Sequence, residues 1–327
     1  MRVLVANAGS SSLKLSLLDA DDAELWTGSA TEELAGLPER PDVVGHRIVH
    51  GGQRFRSAVR LDGEMLTALR ELTALAPLHQ PKSLAAVDAV SRALPDVPAV
   101  ACFDTAFHAT LPPAAATYAL PREWRERYGV RRFGFHGLSH AYATGRAREM
   151  APAARRVITC HLGAGASLCA VLDGRSIDTT MGFTPLEGLA MATRSGSVDP
   201  GLLLWLQEQA EIAPGDMADA LEHESGLLGL AGTADMRELI ERDDPDARLA
   251  LDVYLHRLRA GIGAMAASLG GLDALVFTGG VGENSPRVRE LACEGLAHLG
   301  VPDHVAVLVI SAREDVEIAR QTRALMS

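Results

Sequence analysis

Three short turns built from glycine, alanine and serine carry the first chemistry in this sequence. Gly9-Ser10-Ser11-Ser12 follows an apolar run and is followed at once by Lys14. Small side chains leave the backbone N–H groups unshielded, so a phosphate can come close, and the hydroxyls and an ammonium add donors and charge. Gly163-Ala164-Gly165-Ala166-Ser167 offers the same bare backbone. Thr278-Gly279-Gly280-Val281-Gly282-Glu283-Asn284 leads into a helix expected near Ser285, whose N-terminus favours an anion. None of the three has Walker A or Rossmann spacing. Singly each is an ordinary turn; together they point to a phosphorylated ligand. Lys14 and Lys82 are the only lysines among 31 basic residues. Position 14 therefore either requires a compact ammonium or has kept one by chance.

Cations and histidines among glycines form a second set. Arg47 lies in Gly45-His46-Arg47-Ile48-Val49-His50-Gly51-Gly52, and Arg194 in Ala192-Thr193-Arg194-Ser195-Gly196. A strand arginine ordinarily faces solvent, but glycines crowd both sites as a backbone touching a ligand would require. His136 and His140 are four residues apart without forming HExxH, and Gly137 between them argues against a zinc helix. His136 suits a donor facing phosphate; His140 suits the interior. Asp104 ends the run VPAVACF, where α/β proteins place active-site acids; a cap on the following turn is the alternative.

These residues need strands to hold them. Apolar runs at 3–8, 13–18, 43–49, 99–103, 157–161, 167–172, 274–278 and 305–310 read as strands. Helix signals lie between them: Asp62 before GEMLTALRELTAL, Pro81 opening KSLAAVDAVSRAL, Pro200 opening GLLLWLQEQA, and a stripe of Leu249, Val253, Leu255, Leu258 and Ile262. The alternation gives an α/β class. Arg2-VLVANAGSSSLKLSLLD and Arg156-VITCHLGAGASLCAVLD are both strand, small-residue turn, strand and closing Asp, which suggests a duplication with one hairpin opening each half.

With 327 residues the chain has room for two domains, and its 47% hydrophobic and 22% charged content is ordinary for a globular protein. A net charge of −11 argues against a nucleic-acid or anionic-membrane surface. Cys102, Cys160, Cys169 and Cys293 show no metal or redox spacing and read as reduced thiols. The first apolar run is too short for a signal peptide, and no stretch is apolar enough to span a bilayer. A cytoplasmic protein is expected.

The ordered blocks NAGSSSLK (7–14), GHRIVHGG (45–52), APLHQP (76–81), FDTAFH (103–108), GFHGLSH (134–140), HLGAGASL (161–168), MGFTPLEGL (181–189), TRSGSVDPG (193–201), SGLLGLAG (225–232) and FTGGVGENS (277–285) span nearly the whole chain. In them the sequence resembles the acetate kinase family, of the superfamily that also holds sugar kinases, actin and the heat-shock ATPases. The resemblance implies two duplicated RNase H-like α/β domains with an inter-domain cleft. One domain is expected at 1–104 plus 312–327, the other at 105–311. It also implies ATP- and Mg²⁺-dependent phosphorylation of acetate or a similar short carboxylate, with Mn²⁺ able to substitute, by a cytoplasmic homodimer.

Asp104, His136 and Arg194 match the catalytic groups. Arg47 matches the carboxylate-binding arginine, and Val49, Leu78, Phe135 and Pro185 match the acyl pocket. The nucleotide is expected against Lys14, His161, Leu162, Gly163, Ala164, Gly165, Asp235, Met236, Arg237, Gly280, Val281, Gly282, Glu283 and Asn284. Asn7 and Glu314 match metal-holding positions. Three departures stand out: Ala164 where the family commonly has asparagine, Gln80 for asparagine, and Ala192 for glycine. The first removes a donor near the phosphates, which leaves pyrophosphate open as an alternative donor. Propionate or butyrate remain alternative acceptors, and a nucleotide-dependent switch protein is the alternative from another class.

Overall fold

The computed structural model describes residues 1–9, 13–76 and 79–327. It divides into two units: unit 1 holds residues 1–109, 135–142 and 313–327, and unit 2 holds 110–134 and 143–312.

Unit 1 is built on β1 (Val3–Ala8), β2 (Leu13–Leu18), β3 (Glu24–Gly28), β4 (Val43–Ile48), β5 (Val59–Arg60) and β6 (Ala99–Phe103). Their order across the sheet is β3-β2-β1-β4-β6-β5. The strands β1, β2 and β3 are antiparallel neighbours, whereas β1, β4 and β6 run parallel. The central strands are apolar on both faces because both are covered. Val3, Val5, Val43, Val100 and Cys102 meet Val316, Ile318 and Ala319 of the helix Glu314–Met326. On the opposite face Leu84, Val87 and Val90 of the helix Gln80–Ala93 cover Ile48, Ala101, Leu4 and Val44. Continuous apolar runs of this kind mark sheets covered on two sides.

Unit 2 is built on β7 (Arg156–Leu162), β8 (Ala166–Leu172), β9 (Arg175–Thr179), β10 (Ala274–Thr278) and β11 (Ala306–Val309), in the order β11-β10-β7-β8-β9. Again the first three are antiparallel neighbours and the last two join in parallel. The helix Pro245–Leu269, capped by Asp244, packs on this sheet. Its buried stripe runs through Ala250, Tyr254, Leu255, Leu258 and Ile262. Leu249, expected in the stripe, is 53% exposed, because a residue one position later falls on the inner face.

Every apolar run expected to be a strand is one, with ends differing by a residue. The strands without such a run are β3, β5 and β9, all at sheet edges, where one flank faces water and polar residues suffice. Asp62 caps the helix Gly63–Glu71 through Met65 N–H, and Asp199 caps Pro200–Gln209. All four cysteines are free thiols, and burial pushes those of Cys102 and Cys169 up to about 12. Among the described residues, no helix is long and apolar enough to cross a membrane.

Candidate active site

The charged residues of unit 1 converge where the parallel strands end. Arg47 leaves β4 and Asp104 follows β6, its N–H bonded to Ile48 O at 3.1 Å. The guanidinium grips the carboxylate side-on, with Nη2 donating to Oδ2 at 2.6 Å and Nε reaching both oxygens at 3.1 and 3.2 Å. Nη1 donates to Asn7 Oδ1 at 3.3 Å, and Asn7 Nδ2 donates to Glu314 Oε2 at 2.9 Å. Asp104 is 1% exposed. Burial pushes its carboxyl up and Glu314 adds to this, while Arg47 pulls it back; the net direction is upward. Burial opposes the Arg47 charge, yet Asp104 and Glu314 outweigh it and hold the guanidinium protonated. Among the described residues these contacts use three of the five N–H groups of Arg47, which leaves two for a further acceptor.

The acidic residue expected either to meet a ligand or to cap a turn is thus an ion-pair partner of the expected substrate-binding arginine. Glycine at 45 proves to be a packing requirement and not a ligand contact. A Cβ there would lie 2.6 Å from Thr322 Oγ1 and 2.7 Å from Ile318 Cγ2, so the helix Glu314–Met326 could not settle on β4. Gly51 likewise faces Phe55.

The segment 135–142 joins this cluster. Gly137 N–H bonds Asp104 O at 2.9 Å, and a Cβ at Gly137 would collide with the same carbonyl. That contact places the preceding residue, His136, in the left-handed region at φ 54°. A non-glycine residue held there costs about 1–3 kcal/mol and is concentrated at functional sites. Phe135 is buried with its ring edge on His50 at 5.5 Å, and its carbonyl accepts from His108 Nε2 at 3.0 Å. Val49 is buried beside them in sequence, and Gln80 clamps the His50 backbone through His50 N (3.2 Å) and O (3.1 Å). His140, buried, stacks edge-on with His108, as its expected interior role requires. Lys14 is exposed and pairs with Asn7 across the β1–β2 ladder. Leu78 and the hydroxyls of Ser10, Ser11 and Ser12 lie outside the described residues.

In unit 2 the glycine segments meet one another. A Cβ on Gly163 would lie 3.9 Å from Gly280 N, and one on Gly279 (φ 79°) would lie 2.8 Å from Leu162 O. Ala192 N–H bonds Ala164 O at 3.2 Å, which brings in the segment carrying Arg194. His161, Leu162, Gly163, Ala164 and Gly165 therefore border both Gly280–Gly282 and the arginine's segment. The stretch expected as a loop before Ser285 is itself a helical turn, Gly279–Asn284, whose Glu283 carboxylate accepts from Gly279 N and Ala312 N. Val281 and Asn284 lie on that turn, and Asn284 Nδ2 bonds Gly280 O. Asp235, Met236 and Arg237 are placed differently. Asp235 caps the helix Met236–Glu241 and pairs with the exposed Arg237, so the side-chain bonds of this pair are local. Pro185 sits on the loop after β9.

Residue-by-residue reasoning missed Glu222, whose Oε2 accepts from Arg194 Nε at 2.8 Å, both side chains being largely buried. An acidic residue near the end of the helix Pro214–His223 looks like part of a solvated face, and only the fold reveals its partner.

The Asn7–Arg47–Asp104–Glu314 set holds two carboxylates and an amide oxygen beside a cation. This donor set is too small for a metal cage, and among the described residues no group of three or more His, Cys, Asp or Glu could hold an ion. It does suit Mg²⁺, which keeps several waters and takes one or two carboxylates together with substrate phosphates.

The model of the family described as "Acetokinase family" matches residues 30–322. The chain is 48% identical over 323 residues to an acetate kinase of Trichormus variabilis, covering 91% of this chain and 80% of that one. It is similar in structure to acetate kinase of Porphyromonas gingivalis (TM-score 0.91, 34% identity, 100% of both chains). A propionate kinase of Francisella tularensis is equally similar (TM-score 0.93, 33% identity, 99% of both chains). The site residues from Arg47 to Glu314 lie inside the matched span, and the chain belongs to the acetokinase family.

Proposed function

We propose that this enzyme transfers the γ-phosphoryl group of ATP to acetate or a similarly short carboxylate, giving an acyl phosphate and ADP. The observation that carries this reading is the largely buried Arg47, fixed side-on by Asp104 with two N–H groups left for a carboxylate. Arginine's planar fork matches a carboxylate in two-point fashion, which a lysine cannot do. Val49, Leu78, Phe135 and Pro185 are the apolar residues assigned to the acyl group in this reading.

A short carboxylic acid has a pKa near that of glutamate, about 4.3, so it is ionised at pH 7 and needs no general base. One carboxylate oxygen forms a bond to the γ-phosphorus as the bond to the ADP oxygen breaks, in line. Charge spreads over the three equatorial oxygens, so the protein's work is positioning and cationic stabilisation. Arg194 and His136 supply donors for that charge. The backbone of His161–Gly165 and Gly280–Gly282 cradles the phosphates, with Lys14, Asp235–Arg237 and Asn284 also serving the nucleotide. Asn7, Asp104 and Glu314 would hold Mg²⁺, which when bound neutralises phosphate charge. Asp104 has a second task here, orienting Arg47.

Self-association as a homodimer is proposed through the helix Pro200–Gln209, none of whose residues is buried although Leu202, Leu204 and Trp205 are about half exposed. The free thiols fit a reducing cytoplasm. The deciding experiment is hydroxylamine trapping of acyl phosphate from acetate with Mg²⁺, with ATP and with pyrophosphate as donors. Hydroxamate formed with ATP is the expected result. Product from neither donor, with acetate or longer acids, overturns the proposal.

A further inference from the structure

The loop between β9 and Arg194 holds Pro185, and its residues MGFTPLEG offer no helix or strand to stiffen it. Three side chains far apart in sequence, all within unit 2, converge on it. Arg132 Nη1 donates to three successive carbonyls, those of Thr179, Thr180 and Met181, at 3.2, 3.1 and 3.0 Å. Its Nη2 donates to Glu187 Oε1 at 2.7 Å. The other oxygen, Glu187 Oε2, accepts from the Tyr118 hydroxyl, which itself accepts from Phe183 N–H at 2.9 Å. The Arg132 guanidinium lies 5.5 Å above the Tyr118 ring.

Two further contacts close the arrangement. Gly182 O accepts from Phe133 N (3.0 Å) and Gly134 N (3.2 Å), so the chain just before Phe135 is tied to the same loop. A Cβ at Gly182 would run into the Glu187 carboxylate and the Tyr118 hydroxyl, so only glycine admits the pair. The loop is therefore clamped on both sides of Pro185, at 179–183 and at 187. None of these groups has a part in phosphoryl transfer.

We propose that Tyr118, Glu187 and Arg132 are positioning residues that fix the Pro185 loop and so set the length of acyl chain accepted. This rests on the reading of the protein as a short-chain acyl kinase with Pro185 against the acyl group. One methylene in an apolar pocket changes discrimination by roughly 10–200-fold, so a loop displaced by about 1 Å is enough to alter substrate choice. A network that served folding alone would not touch that choice.

The test compares wild type with Tyr118→Phe, which deletes one hydroxyl and keeps the ring beneath Arg132. The measurements are kcat/KM for acetate, propionate and butyrate, KM for ATP, and amide exchange across 181–189. Expected are faster exchange at Phe183, a change of about tenfold in the acetate-to-propionate ratio, and an ATP KM within about twofold. An unchanged ratio in an active, folded variant overturns the proposal, as does a parallel loss with all three acids and ATP. Should Tyr118→Phe not fold, Glu187→Gln, which keeps the volume and the acceptor facing Arg132, carries the same test. A wild-type enzyme that phosphorylates none of the three acids overturns the acyl-kinase reading first and the assigned substrate class with it. A wild-type enzyme that is active alongside an unaltered variant overturns the positioning role alone.

Discussion

Two sheets that share the order and direction of five strands hold very different residues at matching places. Arg2–Val3 and Arg156–Val157 open corresponding hairpins, and β1 meets β4 as β7 meets β10. Through these registers Asn7 corresponds to His161, His46 to Phe277 and Arg47 to Thr278; the β6 and β11 ladders match Asp104 with Ala312. Unit 1 thus fills its strand ends with an amide, a guanidinium and a carboxylate. Unit 2 has an imidazole, a hydroxyl and an alanine at those places, with the glycines of 163–165 and 279–280 following its strands. Carboxyl ends of parallel strands are where α/β sheets take ligands. On the proposed reading, one half fixes a small charged group by side chains, while the other admits phosphate by main chain. The spacing differs as well, with four residues between β1 and β2 in sequence but three between β7 and β8.

The largest expected effect tests that contrast directly. Arg47→Met keeps much of the side-chain volume but leaves Asp104 buried without its cation. Breaking a buried pair from one side costs about 3–5 kcal/mol. At the matching position Thr278 is fully buried, and its hydroxyl has no hydrogen-bond partner among the described residues. Thr278→Val should therefore be neutral or stabilising. Urea unfolding of both variants measures the difference, and equal losses would break the comparison.

Next in size is the response to acid. His46, His50 and His108 of unit 1 are buried, and burial lowers each to about 4. The folded value lies below the unfolded 6.5, so the unfolded chain binds more protons between the two. Stability is complete above pH 6.5 and is lost as pH falls towards 4. At about 1.36 kcal/mol per pH unit, each histidine accounts for roughly 3 kcal/mol over that window. Among the described residues neither ring nitrogen of His46 has a hydrogen-bond partner, and its counterpart is the buried Phe277. His46→Phe should flatten the pH dependence by about that amount. Urea midpoints at pH 7 and pH 4.5 that shift in parallel with wild type would refute this.

What could be seen beforehand follows the same division. Central strands were legible because burial on both faces demands unbroken apolar runs; β3, β5 and β9 were not, because edge strands tolerate polar residues. Arg47, Asp104 and His136 stood out by type and setting. Their pairing did not, since the ion pair joins residues 57 apart in sequence. Glycines were the least legible of all. Gly45, Gly51 and Gly182 suggested ligand approach or went unremarked, yet each makes room for a neighbouring helix, backbone or carboxylate. Composition records that a Cβ is forbidden and not what would collide with it. Glu222, Tyr118, Glu187 and Arg132 gave no local signal, because charged and aromatic residues near helix ends and loops are ordinary on surfaces.

A smaller effect concerns Glu222, which gives unit 2 its own arginine–carboxylate pair. Here Glu222 Oε2 accepts from Arg194 Nε at 2.8 Å. A hydrogen bond to a charged group is worth about 1.5–3 kcal/mol. Glu222→Ala should lower kcat by about 10–100-fold while leaving KM for acetate nearly unchanged, and Glu222→Gln should recover part of the loss. A rise in KM with kcat unchanged would mean that Glu222 serves binding instead of the transferring phosphoryl group.

The smallest effect lies in the phosphate turn itself. Ala164 sits between glycines whose backbone is the proposed donor to phosphate, and its carbonyl accepts from Ala192 N–H. If unit 2 binds phosphate through main chain alone, a side-chain amide restored at 164 adds one charged hydrogen bond to a site already complete. The gain should be near the lower limit for such bonds, about 1.5 kcal/mol or tenfold in nucleotide affinity. Ala164→Asn is therefore expected to lower KM for ATP about tenfold while kcat and KM for acetate stay near wild type. An unchanged KM for ATP would show that the bare backbone already saturates the phosphate. A loss of activity with pyrophosphate accompanying a gain with ATP would show instead that position 164 selects the phosphoryl donor.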